Sequence, residues 1–226
     1  MSRLAPAGLA LALILVFALG VAAPPEHCPS VTPAQLRGAA EGAVGWFARN
    51  QNPDGSWLYE YDRETGAVAP AADYNWVRHA GATMGLYQAA AAGLPRALGS
   101  ADRGTGWALN RLIERDGWSA FGSPTQVSTG ASALLAAGLE IRREATADDR
   151  YDDVLRRLGR FLVMQTQRSG AVLASYDVSK DAPVEGDYSK YFTGEAYWAL
   201  TRLARAFPEE RWGETADRIG RYLATD

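Results

Sequence analysis

The sequence predicts an all-α fold of repeated α-hairpins, arranged as a partial or open α/α toroid and preceded by one apolar helix. Three observations support this prediction. Amphipathic helices alternate along the chain with helices that are almost free of charge, the segments that connect them repeat at an offset of 115 residues, and no β-type alternation runs for a comparable length.

Length and composition exclude several classes of protein. The chain has 226 residues, of which 47% are hydrophobic and 22% charged, and its formal net charge is −3. This composition supplies enough apolar material for a packed core, so the chain is neither disordered nor collagen-like. The slight excess of acidic residues argues against a nucleic-acid partner.

The N-terminal segment predicts export. Residues 4–23 contain no charged side chain, and Arg3 precedes them. Residues 1–23 are therefore expected to form a signal peptide or, if uncleaved, a membrane anchor made by residues 4–23. Residues 24–32 would be a linker. Residues 33–226 would be a toroid-like domain outside the cytoplasm, either secreted or periplasmic or held at the membrane.

The chain is poor in the residues that hold metals or form disulfides. It has one cysteine, Cys28, and two histidines, His27 and His79. A single cysteine cannot form an internal disulfide. Because a zinc site needs three or four such ligands close together, neither a metal site nor a cofactor is predicted.

The two kinds of helix differ in the distribution of charge. In residues 151–162, apolar side chains recur at helical spacing and charged side chains fill the opposite face, and residues 36–47 and 212–223 repeat this pattern more weakly. Residues 79–92, 129–139 and 194–203 are instead rich in Ala, Gly and aromatic residues. A helix of this second kind is expected to be surrounded by protein, so it would lie inside a ring of the first kind.

The connecting segments repeat. Residues 46–62 align without gaps with residues 161–177, pairing Gly55 with Gly170, and a shorter copy begins at Asp116. The unit of about 55–60 residues cannot bury its apolar face alone and must stack on its neighbours. A closed ring of six such units needs roughly 350 residues, and about 200 follow the leader. We therefore expect three hairpins and an unpaired helix, in a ring that is open, closed by self-association, or continued in a longer chain.

One copy of the repeat carries a family resemblance. The string Trp46-Phe47-x-x-x-Gln51-x-x-x-Gly55-x-Trp57 resembles the glutamine–tryptophan repeat of the squalene–hopene cyclase and protein prenyltransferase superfamily. The resemblance implies a barrel of α-hairpins in which Gln51 and Trp57 brace adjacent hairpins. The Asp-x-Asp-Asp string of those cyclases is absent. The layout is also similar to that of six-hairpin glycosidases, polysaccharide lyases and sugar epimerases.

The loops that enter the inner helices, residues 69–78, 121–129 and 184–194, are expected to surround one mouth of a central cavity. Their aromatic, amide and guanidinium groups are what a sugar ring needs, since its C–H faces pack on aromatic rings and its hydroxyls need hydrogen-bond partners. The predicted substrate-binding residues are Tyr74, Asn75, Trp76, Arg78, Gln126, Tyr188 and Tyr191.

Glu195 is the first candidate catalytic residue, because it begins an otherwise uncharged inner helix. A buried carboxyl group can have a raised pKa and act as a general acid. The alternative is a structural first-turn glutamate that interacts with the helix dipole, with Thr193 as the N-cap.

Three further residues complete the candidate catalytic set. Asp73 and Asp187 occupy equivalent repeat positions and could supply a partner carboxylate, or each could be the N-cap of its helix. His79 could act as a base or contact the substrate, or it could be a core histidine with satisfied hydrogen bonds.

Two other acidic groups have structural explanations. Asp54 lies in the turn sequence Asn52-Pro53-Asp54-Gly55, where a turn explains its presence better than acid catalysis does. Residues 148–152 match a diphosphate-binding Asp-Asp-x-x-Asp pattern. They open an outer helix, however, where acidic side chains interact favourably with the helix dipole.

These observations support three functional hypotheses. The first is an exported α/α-toroid protein that acts on carbohydrate as a glycoside hydrolase, lyase or epimerase, with its carboxylates at the rim and a glycan or small molecule as ligand. The second is a non-catalytic binding or scaffold module of the cell envelope. The third is a terpenoid cyclase-like or prenyltransferase-like protein without the Asp-x-Asp-Asp motif. The fold alone does not choose among them.

Overall fold

The computed structural model describes residues 12–15, 17, 29–68 and 74–225. The chain divides into two compact units, residues 1–37 and residues 38–226. In the first unit, most of the predicted signal or anchor segment lies outside the described residues. Among the helices that the structure does describe, none combines the length and the hydropathy needed to cross a membrane.

Seven α-helices account for most of the described chain. They are α1 (Pro33–Arg49), α2 (Trp76–Ala91), α3 (Ala97–Leu109), α4 (Thr129–Thr146), α5 (Asp152–Met164), α6 (Phe192–Ala206) and α7 (Trp212–Thr225), with a short 3₁₀ helix at Pro208–Glu210. Helices α2, α4 and α6 pack on one another in that order, while α3, α5 and α7 each pack on the helix that precedes them. The predicted alternation of helices is therefore observed.

The inner helices pack against one another. Helix α4 contacts both α2 and α6, and fourteen of its residues, from Thr129 to Arg142, are buried. Helix α5 instead buries one face, made by Leu155, Leu158, Phe161 and Leu162, against the core. Each such buried side chain contributes about 1.5–3 kcal/mol of hydrophobic free energy. Helix α5 thus covers part of the surface of α4 and α6.

The fold is mostly helical, but it is not all-α. Strands β1 (Leu112–Arg115) and β2 (Trp118–Phe121) form an antiparallel hairpin, whose turn is Asp116-Gly117 with Gly117 at φ +81°. Asp-Gly between apolar residues is a strong hairpin signal, because the turn needs positive φ. As a copy of the repeat alone, the dipeptide gives no expectation of strands, so the prediction of an all-α chain is wrong here.

A second sheet joins the connecting loops. Strands β3 (Gln126–Ser128), β4 (Ser175–Asp177) and β5 (Ala182–Pro183) pair antiparallel in that order. The strands have two or three residues each, too short for their alternation to stand out in the sequence. They hold the loop before α4 against the loop before α6.

The two copies of the repeat have the same backbone conformation at their paired glycines. Gly55 and Gly170 have φ values of +98° and +101°. A Cβ added to Gly55 would overlap the carbonyl oxygen of Arg103, and one added to Gly170 would overlap that of Arg218. Arg103 and Arg218 are themselves 115 residues apart. Both glycines therefore allow a loop to lie directly against the backbone of the following outer helix.

Gln51 has the bracing role that the resemblance implied. Its Nε2 donates to the carbonyl oxygens of Gly55 and Ser100, each at 3.0 Å, and its Oε1 accepts from the Ser100 hydroxyl at 2.8 Å. The side chain thus ties the loop after α1 to α3. Trp57 is also buried, between Phe47 and His79.

The N-caps differ from those proposed from the sequence. Asn75 caps α2, accepting from the Arg78 amide at 2.9 Å. Helix α6 begins at Phe192 and no side chain caps it, so Thr193 lies inside its first turn. Asp187 is not a cap either, because its carboxylate accepts a hydrogen bond from the Ser175 hydroxyl instead.

The acidic run before α5 forms ion pairs with the end of α4. Asp148 lies 3.0 Å from the buried guanidinium of Arg142, and Asp152 lies 2.7 Å from Arg143. Arg142 also pairs with Asp102 of α3 at 2.8 Å. These contacts explain the run without a diphosphate or a metal ion.

Candidate functional site

A cavity of about 490 Å³ lies between the loop after α1, the start of α2 and the end of α3. We call it the aromatic cavity. A neighbouring cavity of about 240 Å³ shares part of its wall and extends to Arg78 and His79. The aromatic cavity is lined by Asn52, Asp54, Ser56, Trp57, Leu58, Tyr59, Val68, Tyr74, Trp76, Trp107 and Arg111.

His79 lies behind this cavity, between two indole rings. Its ring centroid is 4.9 Å from that of Trp57 and 4.3 Å from that of Trp107, and the residue is 2% exposed. Its Nε2 lies 2.8 Å from the carbonyl oxygen of Gly104, and its Nδ1 lies 2.7 Å from the hydroxyl of Tyr74. Because a carbonyl only accepts, Nε2 carries the proton and Nδ1 accepts from Tyr74.

These surroundings hold the imidazole of His79 neutral. Burial lowers its pKa to about 4, and the hydrogen bond to Gly104 opposes this effect only in part. Both ring nitrogens already have partners within the protein. The ring is therefore well placed to join α2 to α3 beneath the cavity.

Tyr74 connects the cavity wall to this core. Its hydroxyl accepts from the backbone N–H of Trp57 at 3.1 Å and donates to His79. Burial raises the pKa of the Tyr74 phenol to about 12, so it stays protonated at neutral pH. Its ring lies 5.6 Å from that of Tyr59, and Trp76 lies 5.2 Å from Trp107. The exposed surfaces of Tyr59, Tyr74 and Trp76 give the cavity its aromatic wall.

Asp54 forms the acidic edge of the cavity. Its Oδ1 accepts from the Ser56 amide at 3.0 Å and the Ser56 hydroxyl at 2.7 Å, and its Oδ2 accepts from the Trp107 indole N–H at 3.2 Å. Burial alone would raise the pKa of Asp54. The hydrogen bonds from Ser56 and Trp107, with the positive charge of Arg111, outweigh burial and lower the pKa below its usual value.

Two arginines lie beside the aromatic groups. The guanidinium of Arg111 lies 4.0 Å from the Trp107 ring centroid and donates to the Trp107 carbonyl oxygen at 3.1 Å. Arg78, at the smaller cavity, donates to the hydroxyl of Tyr59 at 2.7 Å. Such cation–π and hydrogen-bond contacts fix the planes of guanidinium groups.

Glu195 lies in the first turn of α6, against α4. A Cβ added to Gly130 of α4 would lie 2.5 Å from Glu195 Oε2, so Gly130 makes room for the carboxyl group. This oxygen is buried and has no hydrogen-bond partner among the described residues. Burial raises the pKa of Glu195, which favours the protonated acid.

The remaining predicted residues lie around the second sheet. Asp187 is bonded to Ser175, and its carbonyl oxygen accepts from the Ala174 amide at 2.8 Å. Tyr188 donates to Gln167 Oε1 at 2.7 Å, and Gln126 opposes Asp177 in the β3–β4 register. Tyr191 is 72% exposed.

The structure therefore brings the predicted residues together in two groups. At the start of α2, Tyr74 and Trp76 line the aromatic cavity. The smaller cavity is lined by Tyr74, Asn75, Arg78 and His79. Gln126, Asp187 and Tyr188 share the loop layer around β3–β5. Asp73 lies outside the described residues, as do His27 and Cys28. The catalytic roles assigned from the sequence remain predictions.

Sequence reasoning missed part of the cavity. Trp107 and Arg111 are not among the predicted residues, Tyr59 lies within the repeat at residues 46–62, and Asp54 is predicted mainly as a turn residue. Trp107 could have been found through the repeat, because it aligns at offset 115 with Tyr222. Arg111 carries no such signal. Among the described residues, no group of three His, Cys, Asp or Glu side chains could hold a metal ion.

Comparison with known proteins places this fold in a class. No protein-family model matches the sequence, and no curated protein matches it in sequence. Solved structures do match in fold. The cellobiose 2-epimerase from Spirochaeta thermophila has a TM-score of 0.66 and 16% identity over 88% of this chain, and a D-mannose isomerase has a TM-score of 0.68 and 9% identity over 89%. The GH76 α-mannanase of Bacteroides thetaiotaomicron has a TM-score of 0.55 and 16% identity over 81%.

The likeness shows the fold: the described helices are arranged as in part of these three structures, which confirms the predicted array of α-hairpins but not the leading apolar helix. The matched region spans 56%, 55% and 57% of those three structures, respectively. The chain thus covers little more than half of each neighbour.

Proposed function

We propose that this chain is a carbohydrate-active α/α-toroid protein that binds a sugar unit in the aromatic cavity. One observation supports the proposal most directly. The cavity is large enough for a sugar unit, its wall is aromatic, and the carboxylate of Asp54 and the guanidinium of Arg111 lie at its edge. C–H faces of a sugar pack on aromatic rings, while charged and amide groups bind its hydroxyls. The sugar epimerase, sugar isomerase and mannanase among the structural neighbours support this reading.

The proposed chemistry is hydrolysis, elimination or epimerisation, each of which needs proton transfer to or from the sugar. Glu195 is the proposed proton donor, because its buried Oε2 has no hydrogen-bond partner among the described residues and its pKa is raised. It lines neither cavity, so this role applies to a sugar chain that extends from the aromatic cavity to the start of α6. Asp73 or Asp187 would supply the partner carboxylate. We assign His79 a positioning role, since both of its ring nitrogens are engaged.

The proposal includes export. The uncharged run from residue 4 to residue 23, preceded by Arg3, supports a secreted or periplasmic location or an anchor in the membrane. Self-association to complete the ring is a further part of the proposal. Both are tested by locating the chain in fractionated cells and by measuring its mass in solution.

Sugar binding is tested by titrating the protein with cellobiose, mannose and glucose while recording tryptophan fluorescence. We expect saturable binding that Tyr59→Ala weakens at least tenfold, because Tyr59 lines both cavities. The matched control is Tyr197→Ala, an exposed tyrosine on α6 outside both cavities. Equal affinity of the two variants, or no binding of any sugar, would refute the proposal.

Turnover is tested with Glu195→Gln on any sugar that binds. Loss of turnover with unchanged affinity supports the role of proton donor. A second candidate function, a non-catalytic binding module, is favoured by the fully bonded imidazole of His79. That candidate predicts that the wild-type protein and Glu195→Gln both bind sugar and that neither converts it.

A third candidate, the binding of an apolar terpenoid, is favoured by one feature of the cavity. Among its described lining residues Asp54 is the only carboxylate, so no facing pair of acids is present there. This candidate predicts that farnesol changes the tryptophan fluorescence and that sugars do not.

A further inference from the structure

The two ionised groups of the aromatic cavity, Asp54 and Arg111, differ in how many of their acceptor or donor positions already have a partner within the protein. Asp54 accepts three hydrogen bonds from Ser56 and Trp107. Arg111 donates one, from Nη1 to the carbonyl oxygen of Trp107. Among the residues that the structure describes, no carboxylate lies within ion-pair distance of Arg111. The guanidinium therefore brings spare donors to the cavity. Its positive charge lowers the pKa of Asp54 from a distance but forms no direct ion pair with it.

The surroundings of Arg111 hold this group in a defined plane. The indole of Trp107 lies under it at 4.0 Å, and the bond to the Trp107 carbonyl oxygen fixes one corner. An immobilised guanidinium suits a planar anion, because two parallel N–H groups bind the two oxygens of one carboxylate. A sugar hydroxyl would use one donor and leave the charge unpaired.

We infer that the sugar bound in the aromatic cavity is a uronic acid whose carboxylate pairs with Arg111. This inference rests on the proposed function and names its substrate class. Asp54 lies at the other edge of the cavity, near the indole nitrogen of Trp107, and its negative charge would repel a second carboxylate there. The sugar is therefore oriented with its acid group toward Arg111 and with hydroxyls toward Asp54 and Asn52.

The test compares matched acidic and neutral sugars on one protein. D-glucuronate is titrated against D-glucose, and D-galacturonate against D-galactose, by calorimetry at pH 7. We expect each uronate to bind at least tenfold more tightly, as expected for a charge-assisted bidentate pair. The preference should fall as salt is added, because Arg111 is exposed and its charge is screened.

Two substitutions of Arg111 separate charge from geometry. Arg111→Gln should abolish the preference, so that each uronate and its neutral counterpart bind with similar affinity, while Arg111→Lys should retain only part of the preference. The control is Arg103→Gln, which removes the same charge from α3 at an exposed residue that does not line the cavity. Circular dichroism verifies that each variant is folded.

The outcomes distinguish this inference from the proposal beneath it. Neutral sugars that bind as tightly as uronates, or a preference that survives Arg111→Gln, would overturn the uronate assignment and leave the sugar site in place. If neither kind of sugar binds, the proposed function fails, and the uronate assignment fails with it.

Discussion

The hydroxyl of Tyr74 and Nδ1 of His79 lie 2.7 Å apart and form the hydrogen bond that joins the wall of the aromatic cavity to the core of the fold. Through it, the backbone N–H of Trp57, the phenol of Tyr74, the imidazole of His79 and the carbonyl group of Gly104 form one chain of hydrogen bonds. This chain links the loop after α1 with α2 and α3. The shape of the cavity therefore depends on a buried polar network.

Tyr74→Phe is expected to destabilise the protein by about 1–3 kcal/mol, because it leaves the Trp57 amide and Nδ1 of His79 buried without a partner. The free energy of unfolding in urea measures the loss. Tyr191→Phe is the control, since Tyr191 is 72% exposed and its change should stay within about 0.5 kcal/mol. Equal stability of the two variants would contradict the network.

His79 is expected to remain neutral well below pH 6.5, because burial lowers its pKa to about 4. Since the unfolded chain binds this proton more readily than the folded protein does, His79 should reduce the free energy of unfolding as pH falls from about 6.5 to 4. The full effect is roughly 3 kcal/mol.

NMR titration of the imidazole protons measures this pKa directly. The chain has two histidines, so His27→Gln assigns both signals. A His79 signal that titrates near 6.5 would show that the ring is accessible to water and not held between Trp57 and Trp107.

Glu195 is expected to affect stability with the opposite sign. Burial raises its pKa in the folded protein, so the folded state binds the proton more tightly than the unfolded state. The free energy of unfolding should therefore fall as pH rises from the unfolded pKa of Glu195 through the raised folded pKa. Glu195→Gln, which cannot ionise, should remove this slope. An unchanged pH dependence in the variant would show that the carboxyl group is solvated.

Gly130→Ala is expected to cost about 1–3 kcal/mol, because the added methyl group would overlap the ring of Phe192 and the carboxyl group of Glu195. Gly106→Ala on α3 is the matched control. Its added Cβ meets nothing within 4 Å, so the protein should gain about 0.5–1 kcal/mol from the lower entropy of the unfolded chain. Thermal unfolding of both variants measures the difference. Gains of the same size in both would mean that Glu195 does not pack on α4.

Local patterns predicted the helices better than the short strands. The charged and apolar faces of α5 fall at helical spacing over its whole length, so its identity and its buried face follow from the sequence. Strands β3, β4 and β5 have two or three residues and exist because distant loops pair with one another. Such pairing leaves no periodicity within either loop.

The residues of the candidate site also divide into those that the sequence predicts and those that only the structure reveals. Tyr74, Trp76 and His79 were predicted because they lie at the start of one inner helix. Trp107 and Arg111 join them from the end of α3, and Asp54 joins them from the loop after α1, about fifty residues earlier in the chain. No local pattern could have linked these residues.

The order of the amino acids predicts the alternation of inner and outer helices, the repeat at 115 residues, and the paired glycines Gly55 and Gly170 of its turns. These features depend on side-chain periodicity and backbone dihedrals, which neighbouring residues set. The packing of the helices places Arg111 over Trp107, gives both ring nitrogens of His79 a partner, and leaves Oε2 of Glu195 buried without one. Those outcomes depend on how whole helices pack, and helix packing is set by the summed contacts of the core.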